Sequence, residues 1–264
     1  MKPLDDAYAN AAYIPGADGY PPRWTEEAAA FREALGDRAG TGISYGSSTR
    51  QVFDFFNAGE DAQGTVIFVH GGYWKAFDHS FWSWLAAGPM ARGWSVAMPG
   101  YDLCPDVRIR DITRQIARAV AAIAERTDGP VTLTGHSAGG HLVSRMTGPG
   151  VLPTAVRERI VAVAPISPVS DLAPLMETSI NDILHLDADE AAAESPIFMP
   201  VPPMPIEVYV GAAERPVFLE DAAQLARVWG APQIVAPGQH HFDVIDALAD
   251  PESRLTRFLT PQQG

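Results

Sequence analysis

Cysteine is almost missing from this chain, with Cys104 standing alone in 264 residues. A single thiol excludes an internal disulfide, and its scarcity fits a reducing cytoplasm. With no basic neighbour or histidine beside it, Cys104 reads as a small buried residue rather than a nucleophile. Basic residues are few as well, 19 against 32 acidic ones, giving a formal net charge of −13. Such a surface repels phosphate backbones and anionic headgroups, so neither nucleic acid nor membrane is expected as a partner. Nowhere do about 18 apolar residues run together, so no spanning helix is expected. The opening MKPLDDAYANAAY has no apolar stretch after its lysine, which disfavours a signal peptide.

What is present is the composition of a globular protein, 47% hydrophobic and 19% charged. A single domain over 1–264 is expected, because no tract of glycine, serine or charge divides the chain. The nearest approach to a break is SPIFMPVPPMP at 195–205.

Short β-branched or aromatic runs alternate with longer helical patterns. The strand-like runs are QVFDFF (51–56), TVIFV (65–69), WSVAM (94–98), VTLT (131–134), IVAVAPI (160–166), IEVYV (206–210) and PQIVA (232–236). Several are apolar without alternation, as strands are when helices cover both faces of a parallel sheet. Between them, Ile109, Ile112, Ile116, Val120 and Ile123 recur at helical spacing. Pro216 opens and Gly230 closes a second helical pattern. Strand then helix, repeated, predicts a doubly wound α/β sheet.

The stretch VTLTGHSAGGHL places Gly135-His136-Ser137-Ala138-Gly139 between a strand and a helix. That is Gly-x-Ser-x-Gly in the strand–turn–helix setting of a nucleophile elbow, where the turn leaves no room for side chains two residues either side of the serine. Ser137 is the predicted nucleophile. The competing reading is a glycine-rich strand-to-helix turn whose serine only caps the helix.

Cleaving an acyl bond also needs donors for the negative oxygen of the tetrahedral intermediate. TVIFVHGGYW ends a strand in His70-Gly71-Gly72-Tyr73-Trp74, the place for an HGG-type oxyanion loop. The amides of Gly72, Tyr73 and Ala138 are the expected donors, with Gly71 needed for the turn and His70 bracing the loop.

In this fold the acid follows one late strand and the histidine the next. Glu214 stands just past IEVYV, and PQIVA is followed by PGQHH. Glu214 is the expected acid, Asp182 and Asp187 in the preceding segment being reserves. Adjacent side chains diverge, so one of His240 and His241 can face Ser137, and spacing does not say which. A metal reading fails on spacing, since His136 and His141 are five apart, astride the elbow, and His79 and His185 form no ligand cluster.

HGGYW (70–74), YDLCP (101–105), GHSAGGHL (135–142) and HFDVIDALADP (241–251) together resemble α/β-hydrolases of the kynurenine formamidase (arylformamidase) and related esterase group. SPVSDLAPLMETSIND (167–182) is similar to that family's segment after the sixth strand. The resemblance implies the α/β-hydrolase fold, with a mostly parallel eight-stranded sheet and helices on both faces. The alternating short helical pieces within 172–204 fit a small cap over the pocket, and an unremarkable surface insertion fits them too. It also assigns the base, because the family's catalytic histidine directly precedes the phenylalanine, which here makes it His241. The family's N-terminal Tyr-Asn-Asn-Arg-Ala element reads Tyr8-Ala9-Asn10-Ala11-Ala12, without the arginine.

Tyr73, Trp74, Tyr101 and Phe242 lie in or beside these loops and are expected to line the substrate pocket. The function expected is a serine hydrolase cleaving an aryl formamide, N-formylkynurenine-like, through an acyl-enzyme. The alternatives are a carboxylesterase for small aryl or short-acyl esters and, in another class, a non-catalytic hydrolase-fold binding module. No cofactor is expected. The expected partner is a small-molecule ester or amide, with a homodimer left open.

Overall fold

The computed structural model describes residues 2–262. Eight strands form one sheet: β1 (Ala39–Ser44), β2 (Val52–Phe56), β3 (Thr65–Val69), β4 (Ser95–Pro99), β5 (Val131–His136), β6 (Ile160–Ile166), β7 (Val208–Gly211) and β8 (Gln233–Ala236). Their order is β1-β2-β4-β3-β5-β6-β7-β8, with β2 antiparallel to both its neighbours and the other pairs parallel. Seven of these strands coincide with the runs read from sequence. The unread one is β1, AGTGIS, whose two glycines and half-exposed edge position carry neither alternation nor an apolar run.

The helices are α1 (Tyr20–Leu35), α2 (Ala87–Ala91), α3 (Ile109–Arg126), α4 (Ala138–Met146), α5 (Thr154–Arg157), α6 (Asn181–Leu184), α7 (Ala188–Glu194), α8 (Pro216–Trp229) and α9 (Arg254–Leu259). They cover both faces. In β3, Ile67 and Val69 pack with the buried stripe of α3 and with α4 and α8, while Val66 and Phe68 face the opposite way toward Trp82, Leu255 and Leu259. Period-two side-chain direction splits one fully buried strand between two cores, so it reads as continuously apolar. Among the described residues no helix is long and apolar enough to cross a membrane.

The segment between β6 and β7 carries α6 and α7 and is tied down by two buried glutamates. Glu190 pairs with Arg108 at the start of α3. Glu194 pairs with Arg145 of α4 at 3.0 Å and accepts from Thr113 Oγ1 at 2.7 Å. Because the strands from β3 onward run parallel, the loops after β3, β5, β7 and β8 gather at one edge of the sheet, where ligands bind in open α/β folds.

Candidate active site

Ser137 sits between β5 and α4 with φ 55° and ψ −116°, a conformation an L-residue adopts at a cost of about 1–3 kcal/mol. The surroundings impose it. A Cβ on Gly135 would lie 2.4 Å from the Gly139 carbonyl oxygen, and one on Gly139 would lie 1.9 Å from that of Val69. The Ser137 N–H donates to the Ile166 carbonyl at 2.8 Å, pinning the turn to the neighbouring strand.

The loop after β3 is equally strained, with positive φ at Gly72, Tyr73, Trp74 and Phe77. Lys75 and Ala76 N–H groups both donate to the Gly72 carbonyl at 3.0 Å, which closes the turn. A Cβ on Gly71 would lie 2.8 Å from the His136 carbonyl oxygen and 3.1 Å from Ser137 Cβ, so the loop rests directly on the elbow. Among the described residues the N–H groups of Gly72, Tyr73 and Ala138 have no acceptor. His70 braces the loop as expected: its Nδ1–H donates to the Gly71 carbonyl at 2.8 Å, and burial pushes its pKa down to about 3, leaving it neutral.

The loops after β7 and β8 are laced together. Ala212 and Ala213 N–H groups donate to the Ala236 and Gln239 carbonyls at 2.9 and 2.8 Å. This brings Glu214 to His241, whose Nδ1–H donates to Glu214 Oε2 at 2.5 Å. The other carboxylate oxygen accepts from Ser167 Oγ and from the Gly211 N–H at 2.7 Å. Burial pushes the Glu214 carboxyl up, but the His241 charge and the bonds from His241, Ser167 and Gly211 outweigh it and hold the pKa below the usual carboxylate range. An ionised Glu214 fixes the tautomer of His241, so that Nε2 carries the lone pair. The imidazole is clamped between Phe218 and His136, with ring centroids 4.4 and 4.6 Å away.

Of the doublet, His241 is the one that meets Glu214. His240 turns to Tyr20, whose hydroxyl meets its Nε2 at 3.0 Å, and to Asp243. The reserve acids lie elsewhere: Asp182 pairs with Lys2, and Asp187 caps α7 and pairs with Arg108.

Ser137 and His241 line one cavity of about 360 Å³, together with Gly71, Gly72, Tyr73 and Phe242. Trp74 and Tyr101, expected in its wall, are not there. Both are fully buried, Trp74 edge-on to His141 and Tyr101 stacked on His70 at 4.3 Å with its hydroxyl donating to the His70 carbonyl at 2.9 Å. They hold the loop from behind, while Tyr73 lines the cavity. Ile180 lines the cavity from the segment after β6 that the sequence offered as a cap, and the rest of the wall was not foreseen: Ala9 to Ala12 from the N-terminus, Trp24 from α1, Lys75, Phe77 and Trp82. Ser167 was also missed, since its φ of 46° and its bond to Glu214 leave no mark in sequence.

The chain matches the alpha/beta hydrolase family over residues 66–261. It is 31% identical over 239 residues to the kynurenine formamidase of Drosophila melanogaster, covering 82% of this chain and 79% of that protein. It is 25% identical over 214 residues to the kynurenine formamidase of Salmo salar, covering 75% and 72%. The crystal structure of a proposed thioesterase from a Silicibacter species superposes with a TM-score of 0.97 at 54% identity, over 99% of this chain and 100% of that one. The chain belongs to the alpha/beta hydrolase family and is a hydrolase of the kynurenine formamidase and esterase type.

Proposed function

We propose that this hydrolase cleaves an aryl formamide of the N-formylkynurenine kind through an acyl-enzyme, with Ser137, His241 and Glu214 as the triad. The observation that carries the reading is the bond from His241 Nδ1 to a buried, doubly supported Glu214, in an imidazole that shares its cavity with the strained Ser137. Ser137 Oγ attacks the formyl carbon as His241 Nε2 takes its proton, and Glu214 stabilises the imidazolium that forms. The unpaired N–H groups of Gly72, Tyr73 and Ala138 receive the negative oxygen. The C–N bond then breaks, the aryl amine leaves with the proton from His241, and water repeats the sequence on the formyl-serine to release formate. An aryl amine departs more readily than an alkylamine because its lone pair is delocalised into the ring.

A second reading is an esterase or thioesterase for short acyl groups, using the same triad. Two observations favour it: the 54% identity to a proposed thioesterase, and Ala11 lining the cavity where the family's N-terminal element has arginine. The deciding experiment measures kcat/KM for N-formyl-L-kynurenine, p-nitrophenyl acetate and acetyl-coenzyme A, with wild type and Ser137→Ala. Formamide turnover far above both others, abolished in the variant, supports the formamidase. Ester or thioester turnover alone keeps the triad and discards that substrate, and undiminished activity in Ser137→Ala removes the triad.

A further inference from the structure

Lysine occurs twice in the whole sequence, as Lys2 and Lys75. Lys2 is engaged by Asp182 and by the Thr178 carbonyl. Lys75 lies on the oxyanion loop and lines the cavity of Ser137 and His241. Its backbone N–H closes the turn on Gly72, but its ammonium has no hydrogen-bond or ion-pair partner among the described residues. The nearby cations are committed: Arg50 to Asp78 and the Phe77 carbonyl, Arg215 to Asp6, Arg23 to Asp246. Among the described residues no acid lines this cavity, so Lys75 is an uncompensated positive charge in its wall, in a chain carrying −13 overall.

A second polar group in the same wall is unmatched. Asn10 is 6% exposed, and its Oδ1 has no partner. An orphaned buried acceptor is costly unless a ligand supplies the missing donor, and an unpaired ammonium beside apolar rings attracts an anion more strongly than one in open water.

We infer that Lys75 is a specificity-determining residue that holds a carboxylate on the leaving-group side of the substrate, with Asn10 Oδ1 accepting from an N–H of the same molecule. The inference rests on the proposed acyl transfer at Ser137 and adds the charge of the molecule transferred. Lys75 takes no part in proton transfer. It lowers the free energy of the bound substrate and of the transition state alike, so its removal is read in KM rather than kcat.

The test compares N-formyl-L-kynurenine with N-formylkynuramine, which keeps the formamide, ring and amine but lacks the carboxylate. Both are assayed with wild type, Lys75→Gln and Lys75→Arg. The expected result is a KM about 10- to 100-fold higher for N-formyl-L-kynurenine in Lys75→Gln, with kcat and the decarboxylated substrate changed less than about threefold, and substantial recovery in Lys75→Arg. Equal losses on both substrates, or none on either, overturn the inference. Should wild type hydrolyse esters and no formamide, the formamidase reading falls while this one is still read from 4-acetoxybenzoate against phenyl acetate. Loss of preference for 4-acetoxybenzoate in Lys75→Gln then supports it, and a wild type indifferent to the carboxylate overturns it.

Discussion

His79 and His241 are both buried imidazoles beside carboxylates, 8% and 3% exposed. His79 meets an acid at each nitrogen, Asp54 at 3.3 Å and Asp78 at 3.1 Å. Burial alone would push its pKa down, but bonds to Asp54 and Asp78 and their charges outweigh it and hold it up at about 9. At neutral pH it is a fixed cation between β2 and the start of the 3-10 helix at His79–Ala86. His241 meets one acid at one nitrogen and lines a cavity with its ring. The difference teaches what separates a structural imidazole from a proton acceptor. Acids beside both nitrogens hold the charged form, whereas one acid orients the ring and leaves the other nitrogen without an acid.

The comparison is broken most directly by exchanging each histidine for glutamine. For His241→Gln the expected fall in kcat is about 10⁵- to 10⁶-fold, as when a triad residue is lost in serine proteases, with the thermal transition close to wild type. Glu214→Gln comes next, with an expected loss of about 10⁴-fold in kcat, because an amide supports the wrong tautomer of His241. A kcat for Glu214→Gln within tenfold of wild type would show that His241 is oriented by something other than this acid.

His79→Gln acts on the other side of the comparison. It leaves the buried Asp54 without its cation, and the expected cost is about 3 kcal/mol in chemical denaturation, with kcat of the folded protein within tenfold. Its pH dependence has a definite sign. The folded pKa lies near 9, above the reference value of 6.5, so the stabilisation is complete below about pH 6.5 and is lost as pH rises through about 9. The difference in melting temperature between wild type and His79→Gln should therefore shrink from pH 6 to pH 10, and a difference that grew would refute the cationic pair. Smallest is Tyr101→Phe, which removes one hydrogen bond behind the oxyanion loop. It is expected to cost about 1 kcal/mol of stability and to change kcat a few-fold. An unaltered KM in that variant would fit a residue outside the pocket.

Much of this arrangement was legible before any coordinates. Gly135, Ser137 and Gly139 could be read because a steric demand fixes both residue type and spacing, and the cavity of Ser137 depends on those absent side chains. Trp74 and Tyr101 were misplaced because proximity in sequence to a loop says nothing of the side to which a ring turns. Asn10, Trp24 and Ile180 reach the cavity from segments distant in the chain, and no local pattern records such a meeting. β1 stayed unread for the opposite reason: its register comes from pairing with Phe53, Phe55 and Phe56 of β2, not from its own glycine-rich residues.

The sequence by itself determined the alternation of strands and helices and the two glycine-rich turns after β3 and β5, since each depends on local periodicity or on a close backbone approach that only glycine permits. Tertiary structure alone decided that His241 and not His240 meets Glu214, that Ser167 and Gly211 support that carboxylate, and that an unpaired Lys75 shares a cavity with the N-terminal Asn10. Those outcomes depend on which loops the parallel sheet gathers at one edge, and a contact such as that of Ser167 with Glu214, 47 positions apart, is set by packing, which no short stretch of chain contains.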